Sequence, residues 1–257
     1  MKDFMAAAKE AALKAGEILR DNINGAREIS YKGKINLVTE MDRLSERTIV
    51  AVLHAAFPDH DIVAEEETDI DKGSAFRWII DPLDGTTNYA HGYPNFSVSI
   101  ALEKSGEVIL GVVYDAMRNE IFTGEKGRGA YLNGKGITVS KAETLIRSLL
   151  ATGFPYDRMT SEKNNLNYFA ALLMASQEVR RSGSAALDLC SVAAGRLDGY
   201  WELKLNPWDV AAGSLIVREA GGTVTDFSGT RFNISDKEIL ASNGRIHHQM
   251  VEILQKA

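Results

Sequence analysis

The sequence predicts a mixed α/β protein, and three patterns support this fold class. Apolar side chains recur at helical spacing over residues 2–22, which predicts an amphipathic helix. Residues 96–132 alternate or run apolar between glycine-containing turns, which is typical of an antiparallel meander. Beyond residues 137–144, short apolar strands alternate with helical segments. We therefore predict an α+β N-terminal half, residues 1–140, and an α/β C-terminal half, residues 141–257, which pack as one body.

The N-terminal half continues after its first helix through a polar stretch from Lys32 to Asn36, which we expect to form a basic, mobile loop. A second helix is predicted over about residues 42–57, because Pro58 ends the apolar pattern there. A short strand is expected next, at 61–64. The meander is expected to contain four strands, at 96–102, 107–115, 119–123 and 129–132.

The C-terminal half is predicted to alternate strands and helices. Strands are expected near 148–152, 178–181, 198–202, 222–226 and 238–241. Helices are expected near 161–175, 185–194 and 207–220, and a last helix closes the chain. Pro207 lies just inside the third of these helices and Gly221 just past its end, which is the usual asymmetry of helix termini.

Composition excludes several classes of protein. With 45% apolar and 25% charged residues, the chain matches ordinary globular proteins and differs from disordered or fibrous ones. The net charge of −6, without a block of Lys and Arg, argues against a nucleic-acid binder. The single cysteine, Cys190, excludes an internal disulfide and is expected to be a small buried residue of a helix. The N-terminus has neither a signal-peptide pattern nor an apolar span, so we expect a cytoplasmic protein that does not bind membranes.

The most informative segment of the chain is Asp-Pro-Leu-Asp-Gly-Thr-Thr-Asn at residues 81–88. The preceding residues 78–80 are apolar and predict a buried strand. Pro82 and Gly85 predict that the backbone turns where the acids appear. Functional sites are commonly built where strands open into loops, so we expect this segment to carry chemistry.

The two acids of this segment, Asp81 and Asp84, predict a cation site. Carboxylates held together repel each other, and burying either alone is unfavourable, so a hard cation such as Mg²⁺ is the natural neutralising partner. The main-chain carbonyl of Leu83 offers a further oxygen ligand. The hydroxyl of Thr86 and the backbone N–H groups of the turn add the donors that phosphate chemistry needs.

Other acids also follow apolar strands or begin helices, namely Asp42, the run from Glu65 to Glu67, and Asp209. We expect them to converge on the Asp81 and Asp84 pair. For Asp42 or Asp209 taken alone, a helix cap or a solvated carboxylate is the simpler interpretation.

These residues resemble the inositol monophosphatase family of Mg²⁺-dependent, Li⁺-sensitive phosphatases, which are related to fructose-1,6-bisphosphatases and bisphosphate nucleotidases. One family signature is met by residues 81–88 and a second by 208–222, which contain Trp-Asp and a later Glu-Ala-Gly-Gly. The resemblance covers nearly the whole chain. It implies a layered αβαβα sandwich with the site between the two halves. Ala64 replaces a glycine of the family's Gly-Glu-Glu motif, so the resemblance leaves a choice between Glu65 and Glu66 as the ligand.

The resemblance implies hydrolysis by a metal-activated water without a covalent intermediate. It implies two or three Mg²⁺ ions per site and the following ligands: Glu65, Asp81, the Leu83 carbonyl, Asp84 and Asp209. Asp42 and Thr86 would orient the attacking water near Glu65. The N–H groups of Gly85 and Thr86 would receive phosphate oxygens. An ordinary helix-capping hydroxyl is the alternative for Thr86.

On the substrate side, the resemblance implies that Gly183, Ser184 and Ala185 line the alcohol. It also implies that Glu202 accepts hydrogen bonds from substrate hydroxyls and that Asp84 and Asp209 contact substrate. The alternatives are that Gly183 and Ser184 only start a helix and that Glu202 is an exposed strand residue. The loop from Lys32 to Asn36 aligns with one that closes over a third metal in relatives.

The predicted substrate is a small-molecule phosphate ester, most simply an inositol monophosphate, and fructose 1,6-bisphosphate is the alternative. The resemblance also implies a homodimer. A role of another class is open, since some bacterial relatives act in ribosomal RNA transcription through contacts with the transcription machinery.

Two other kinds of site are disfavoured. The five histidines have no metal-binding spacing and none lies beside a plausible Ser or Cys nucleophile, which argues against zinc hydrolases and Ser-His-Asp hydrolases. The glycines between Gly124 and Gly129 lack the strand-to-helix context of a nucleotide loop, so we expect a hairpin turn there.

Overall fold

The computed structural model of the protein describes residues 3–25, 29–31 and 37–257. In this part of the chain the helices are α1 (Phe4–Asn22), α2 (Glu40–Ala56), α3 (Thr86–Ala90), α4 (Leu166–Ala175), α5 (Ala185–Ala193), α6 (Pro207–Glu219) and α7 (His247–Leu254). The predicted loop from Lys32 to Asn36 lies outside the described residues.

The described residues form three sheets, of which two are large. The first contains β3 (Asp61–Ala64), β4 (Asp69–Ile70), β5 (Phe76–Asp84), β6 (Ser97–Lys104), β7 (Glu107–Asp115), β8 (Glu120–Glu125), β9 (Ala130–Leu132) and β10 (Lys135–Ile137). The second contains β11 (Leu149–Thr152), β12 (Glu178–Arg180), β13 (Gly199–Leu203), β14 (Thr223–Thr225) and β15 (Glu238–Ser242). A small hairpin pairs β1 (Ile29–Tyr31) with β2 (Leu37–Thr39).

Strand pairing confirms the predicted meander. The first sheet has the order β10-β9-β8-β7-β6-β5-β3-β4, and β5 through β10 pair antiparallel in succession. The glycine-rich segment after β8 is the predicted hairpin turn. The second sheet has the order β12-β11-β13-β15-β14, with β11 parallel to both its neighbours.

Three clusters of buried apolar residues show that the layers alternate as αβαβα. One cluster joins α1 and α2 to the outer face of the first sheet. A second joins α5 and α6 to the facing sides of both sheets, and a third joins α4 and α7 to the outer face of the second sheet. Helices on both sides of a sheet can bury its two apolar faces, which explains the fully buried centre of β5. The fold class is therefore confirmed, while the division at residue 140 stays a prediction.

The predicted turn at Pro82 is wrong, because β5 continues through this residue to Asp84. Asp81 pairs with Ser99 and Asp84 pairs with Ser97, so three steps along β5 match two along β6. This extra residue is a bulge, which accommodates a proline that cannot donate to the ladder. The chain turns only at Gly85, whose φ of 98° is the left-handed conformation that glycine adopts without strain.

The helix predicted from residue 161 begins five residues later than expected. Asn165 lies before it with a φ of 74° and is fully buried. Its amide donates to Thr152 Oγ1 (2.8 Å) and to Gly153 O (2.5 Å), and its Oδ1 accepts from the Trp201 indole (2.8 Å). These contacts hold the segment against β11 and β13, so the helix starts only after it.

Other predictions agree with the structure. Pro207 is the first residue of α6, and Cys190 is fully buried in α5. Among the described residues, no helix has both the length and the apolar character that crossing a membrane requires.

Candidate metal centre and active site

A cavity of about 920 Å³ opens where β5, α5, β13 and α6 meet, and it contains nearly every predicted site residue. The predicted residues that line it are Glu65, Asp81, Leu83, Asp84, Gly85, Thr86, Gly183, Ser184, Ala185, Glu202 and Asp209. Asp42 is the exception, since it is buried behind Thr86. Residues more than 140 positions apart in sequence thus share one cavity.

Three carboxylates in this cavity form what we call the acid cluster: Glu65, Asp81 and Asp209. Glu65 follows β3, Asp81 lies in β5 and Asp209 is in the first turn of α6. One oxygen from each lies within 4.8 Å of the other two. Convergence of the separate acidic segments is therefore observed for these three residues. Glu65, rather than Glu66, is the member of the acidic run that joins the cluster.

Electrostatics of the acid cluster favour a bound cation. Burial raises the pKa of Asp81 well above its usual range, and repulsion from Glu65, Asp84 and Asp209 raises it further. The pKa of Asp209 is likewise raised well above its usual range by burial and by Glu65. A hard divalent cation would remove this repulsion and prefers oxygen ligands, so the residues present fit Mg²⁺.

Asp84 lies outside the acid cluster and faces the start of α5. Its Oδ2 accepts hydrogen bonds from the Ser184 hydroxyl and from Ala186 N (2.8 Å), and its Oδ1 accepts from Ala185 N (3.2 Å). A carboxylate is favoured at the positive end of a helix dipole. Burial nevertheless raises the pKa of Asp84 above its usual value, and these hydrogen bonds oppose the rise. Asp84 thus connects the strand of the first motif to the predicted alcohol side.

Asp42 and Thr86 form the predicted pair. Thr86 Oγ1 lies 3.0 Å from Asp42 Oδ1 and 3.0 Å from Leu83 O, and its single proton can go to either. Asp42 Oδ2 accepts from Thr39 N (2.8 Å) and Thr39 Oγ1 (2.6 Å), which completes a capping box at the start of α2. Asp42 therefore serves both the helix end and Thr86. The cap of α3 is Gly85, so the alternative role of Thr86 as a capping hydroxyl is wrong.

Asp209 also combines two roles. It occupies the third position of α6, and its Oδ2 accepts from Asn206 N (2.7 Å) in a second capping box. Ser99 Oγ donates to Trp208 O (3.3 Å), which holds this helix start against the first sheet. The helix-end interpretation of Asp209 and its place in the acid cluster are thus compatible.

The predicted alcohol side is formed by the loop before α5 and by β13. Ser184 caps α5 by accepting from Leu187 N (3.3 Å) while it donates to Asp84. Glu202 is only 9% exposed, so its interpretation as an exposed strand residue is wrong. Burial raises the pKa of Glu202 to about 7, although the Tyr200 phenol donates to its carboxylate and Arg181 lies near.

The model of the inositol monophosphatase family matches residues 1–257, the whole chain. This chain belongs to the inositol monophosphatase family. It is 45% identical over 256 residues to an inositol-1-monophosphatase of Synechocystis sp., covering 99% of this chain and 89% of the relative. It is 43% identical over 262 residues to a Nus factor SuhB of Pseudomonas aeruginosa, covering 99% and 97%. The solved inositol monophosphatase of Anabaena (Nostoc) sp. superposes with a TM-score of 0.91 at 44% identity, covering 99% of this chain and 96% of that one.

One residue that supports the acid cluster was not predicted. Glu46, in α2, is buried, and its carboxylate accepts four hydrogen bonds from the turn that follows Glu65. The donors are Glu66 N (2.9 Å), Glu67 N (3.0 Å), Thr68 N (2.8 Å) and Thr68 Oγ1 (2.7 Å). Glu46 therefore sets the direction in which Glu65 leaves β3. No sequence signal marks it, because its partners lie about twenty residues away.

A second residue whose role was not predicted is Asn88, the last member of the first motif. Its side-chain amide donates to Asn95 O (2.7 Å) and to Ser182 O (2.8 Å), which ties α3 to the loop before α5. A Cβ atom on Gly183 would lie 2.8 Å from this amide, so the two residues fit closely. The motif itself was the signal for Asn88, but its partner is remote in sequence.

Proposed function

We propose that this chain is a Mg²⁺-dependent phosphatase that hydrolyses inositol monophosphates and related phosphate esters of small polyols. The acid cluster is the observation that carries the proposal, because three carboxylates held together in one cavity fit a divalent cation and a phosphate group. Family membership and the name of the Synechocystis relative support the substrate.

The proposed metal ligands are the acid cluster, the Leu83 carbonyl and Asp84, which together would hold two or three Mg²⁺ ions. Bound Mg²⁺ would supply the charge that neutralises the carboxylates and the phosphate and that activates water. Thr86, with its proton directed to Asp42 or Leu83 O, can accept a hydrogen bond from the attacking water and so orient it. We further propose that the N–H groups of Gly85 and Thr86 receive phosphate oxygens.

The alcohol would lie on the opposite side of the cavity. Asp84, Ser184 and Ala185 meet there in one hydrogen-bonded group, which would lie beside the leaving oxygen. Gly183 allows the close approach of this loop to Asn88. Glu202 would accept hydrogen bonds from substrate hydroxyls farther from the phosphate.

Phosphate release from inositol 1-phosphate, measured with and without Mg²⁺, tests the proposal. We expect turnover that requires Mg²⁺, is inhibited by Li⁺, and falls by at least about a hundredfold in Asp81→Asn, which removes charge from the centre of the acid cluster. Absence of turnover at any Mg²⁺ concentration would overturn the proposal. Fructose 1,6-bisphosphate in the same assay separates the alternative substrate.

A second function is favoured by the relative named Nus factor SuhB. We propose a second, non-catalytic role in transcription, which uses the surface of this chain rather than its cavity. Asp84→Asn should then abolish hydrolysis and leave binding to the transcription machinery intact. Loss of both in a folded variant would count against separable functions.

We also propose a homodimer, formed through α4 and the adjoining edge of the second sheet. Leu166, Leu173 and Met174 are 57%, 36% and 82% exposed and lie on α4, next to the edge strand β12. Exposed apolar patches commonly mark interfaces, and an apolar patch beside an open edge suits a second copy of itself. Sedimentation should give a dimer for the wild type and a monomer for Met174→Lys combined with Leu173→Lys. Met159→Lys, at a loop residue that is 66% exposed, is the matched control and should remain dimeric.

We also propose a cytoplasmic location for this chain. The proposal is supported by Cys190, the single cysteine of the sequence, which is not in a disulfide.

A further inference from the structure

Glu202 occupies an unusual position for a carboxylate, near the end of the central strand of the second sheet. β13 pairs with β11 on one side and with β15 on the other, so its backbone is fixed by both neighbours. Side chains alternate along a strand, which puts Tyr200 and Glu202 on the same face. That face is directed towards α5, whereas Trp201 packs on the opposite face, towards α4 and α7. Tyr200 and Glu202 are therefore held as neighbours by the sheet.

Tyr200 holds one side of the Glu202 carboxylate. Its phenol is fully buried and donates its proton to Glu202 Oε2. Burial and the nearby carboxylates of Glu202 and Asp188 raise the pKa of Tyr200 well above its usual range, so the phenol stays protonated and remains a donor. With Oε2 engaged, Oε1 is left to accept from a molecule in the cavity that Glu202 lines.

Gly153 makes room for the other side of the carboxylate. It follows β11 directly, and a Cβ atom built on it would overlap the carboxylate atoms of Glu202. The Asn165 amide holds the Gly153 carbonyl (2.5 Å), so this backbone has little freedom to move away. Any side chain at residue 153 would therefore displace the carboxylate from where Tyr200 holds it.

We propose that Tyr200 is a positioning residue which, together with the space left by Gly153, aims the Glu202 carboxylate at a substrate hydroxyl and so determines the preference for polyol phosphates over simpler esters. This inference rests on the proposed phosphatase function and deepens it. The acid cluster would act on the phosphate, which every ester shares, whereas Glu202 would contact only the alcohol. Disturbing Tyr200 should therefore change discrimination between substrates more than it changes hydrolysis itself.

The kinetic test compares Tyr200→Phe, Glu202→Gln and the double variant on two substrates. Inositol 1-phosphate has ring hydroxyls, and p-nitrophenyl phosphate has none. For inositol 1-phosphate we expect Tyr200→Phe to raise KM about tenfold with kcat within about twofold. The reason is that the displaced Glu202 carboxylate loses its hydrogen bond from the substrate hydroxyl. For p-nitrophenyl phosphate we expect kcat/KM within about twofold of wild type. The double variant should be no worse than Glu202→Gln alone, since Tyr200 acts only through Glu202.

A second measurement does not depend on activity. The carboxyl group of Glu202 can be followed by ¹³C NMR as pH is varied, with Glu202→Gln identifying its signal. The groups that face it are Tyr200 on its own strand, Arg181 before α5, Asp84 at the end of β5, Asp188 in α5 and Asp209 in α6. The phenol hydrogen bond favours the ionised carboxylate, so Tyr200→Phe should raise the pKa of Glu202 above its wild-type value of about 7.

The outcomes separate this inference from the proposed function. Equal losses on both substrates, additive effects in the double variant, or an unchanged pKa of Glu202 would each overturn the positioning role. If wild type hydrolyses neither ester with Mg²⁺, the proposed function fails, and the NMR titration still tests whether Tyr200 positions Glu202. Should Tyr200→Phe not fold, Gly153→Ala displaces the carboxylate from the phenol while leaving Glu202 and Tyr200 unchanged, and it should reproduce the selective loss on inositol 1-phosphate. Equal losses on both substrates in that variant would overturn the positioning role.

Discussion

Replacing Glu46 by glutamine should weaken the metal site without touching any proposed ligand. The Glu46 carboxylate accepts three hydrogen bonds at Oε1, from Glu67 N, Thr68 N and Thr68 Oγ1, and one at Oε2 from Glu66 N. Glutamine can keep the three at one oxygen. Its amide nitrogen, however, would face Glu66 N, so a donor would meet a donor where an ionised acceptor stood.

The magnitude follows from that single lost bond. Losing a hydrogen bond to a carboxylate and placing two donors face to face costs about 2–3 kcal/mol of unfolding free energy. For a chain of this size, each kcal/mol lowers Tm by about 2–4 °C, so we expect a decrease of about 4–12 °C. The turn also fixes Glu65 in the acid cluster, and comparable changes behind metal ligands weaken metal binding about 10–100-fold.

Calorimetric titration with Mg²⁺ and thermal unfolding provide the two assays. Glu67→Gln is the control, because it also replaces one glutamate by glutamine, within the turn that Glu46 holds. The Glu67 carboxylate is half-exposed and pairs with Arg43 (2.9 Å) and Arg47 (3.4 Å) at the surface. Such pairs contribute up to about 1 kcal/mol. If Glu46→Gln binds Mg²⁺ as tightly as Glu67→Gln does, Glu46 does not orient the ligand and the reasoning is refuted.

Three further predictions concern pH and backbone geometry. The raised pKa values of Asp81 and Asp209 mean that the metal-free folded state keeps protons that the unfolded chain releases above about pH 4, so the Tm in a chelator should fall as pH rises above that value. Mg²⁺ should reverse this trend, and a flat profile would contradict it. Burial lowers the pKa of His247 to about 4, so the stability that its neutral form provides is complete above about pH 6.5 and is lost as pH falls towards 4. Urea unfolding should show that His247→Asn loses less of its unfolding free energy over this pH range than wild type does. Gly85→Ala should lower the free energy of unfolding in urea more than Gly106→Ala does. Both glycines have a positive φ, of 98° and 85°, but only at residue 85 would the Cβ atom lie 3.1 Å from carbonyl oxygens. Equal losses would mean that φ alone decides.

Local pattern was sufficient for most elements and for the acids of the site. The bounds of α1, α2, α5, α6 and the meander strands agree with prediction within about two residues, because each combines strong periodicity with a clear end signal. The acids of the site were singled out because they follow apolar strands or begin helices, where sites are commonly built. Only the family resemblance pointed to the residues of the alcohol side, Gly183, Ser184, Ala185 and Glu202, which also line the cavity.

The errors arose where long-range contacts override local preference. Pro82 predicts a turn, yet pairing with β6 carries the strand past it as a bulge. Residues 161–165 look helical, yet the buried amide of Asn165 holds them against β11. For Asp84, which stays a predicted ligand, only packing shows that its oxygens also accept hydrogen bonds from the N-terminus of α5, about a hundred residues away in sequence.

The sequence by itself determined the α/β class, the acids of the site and the family to which the chain belongs, because these depend on periodicity and on short motifs that are complete within a few residues. Only the tertiary structure decided that Glu65 rather than Glu66 joins the acid cluster, that Glu46 supports it and that Tyr200 and Gly153 enclose Glu202. Those choices depend on which side chains meet after the sheets and helices have packed. Hydrogen bonds and close contacts of this kind act over a few ångströms, so the separation of two residues along the chain does not predict whether they form.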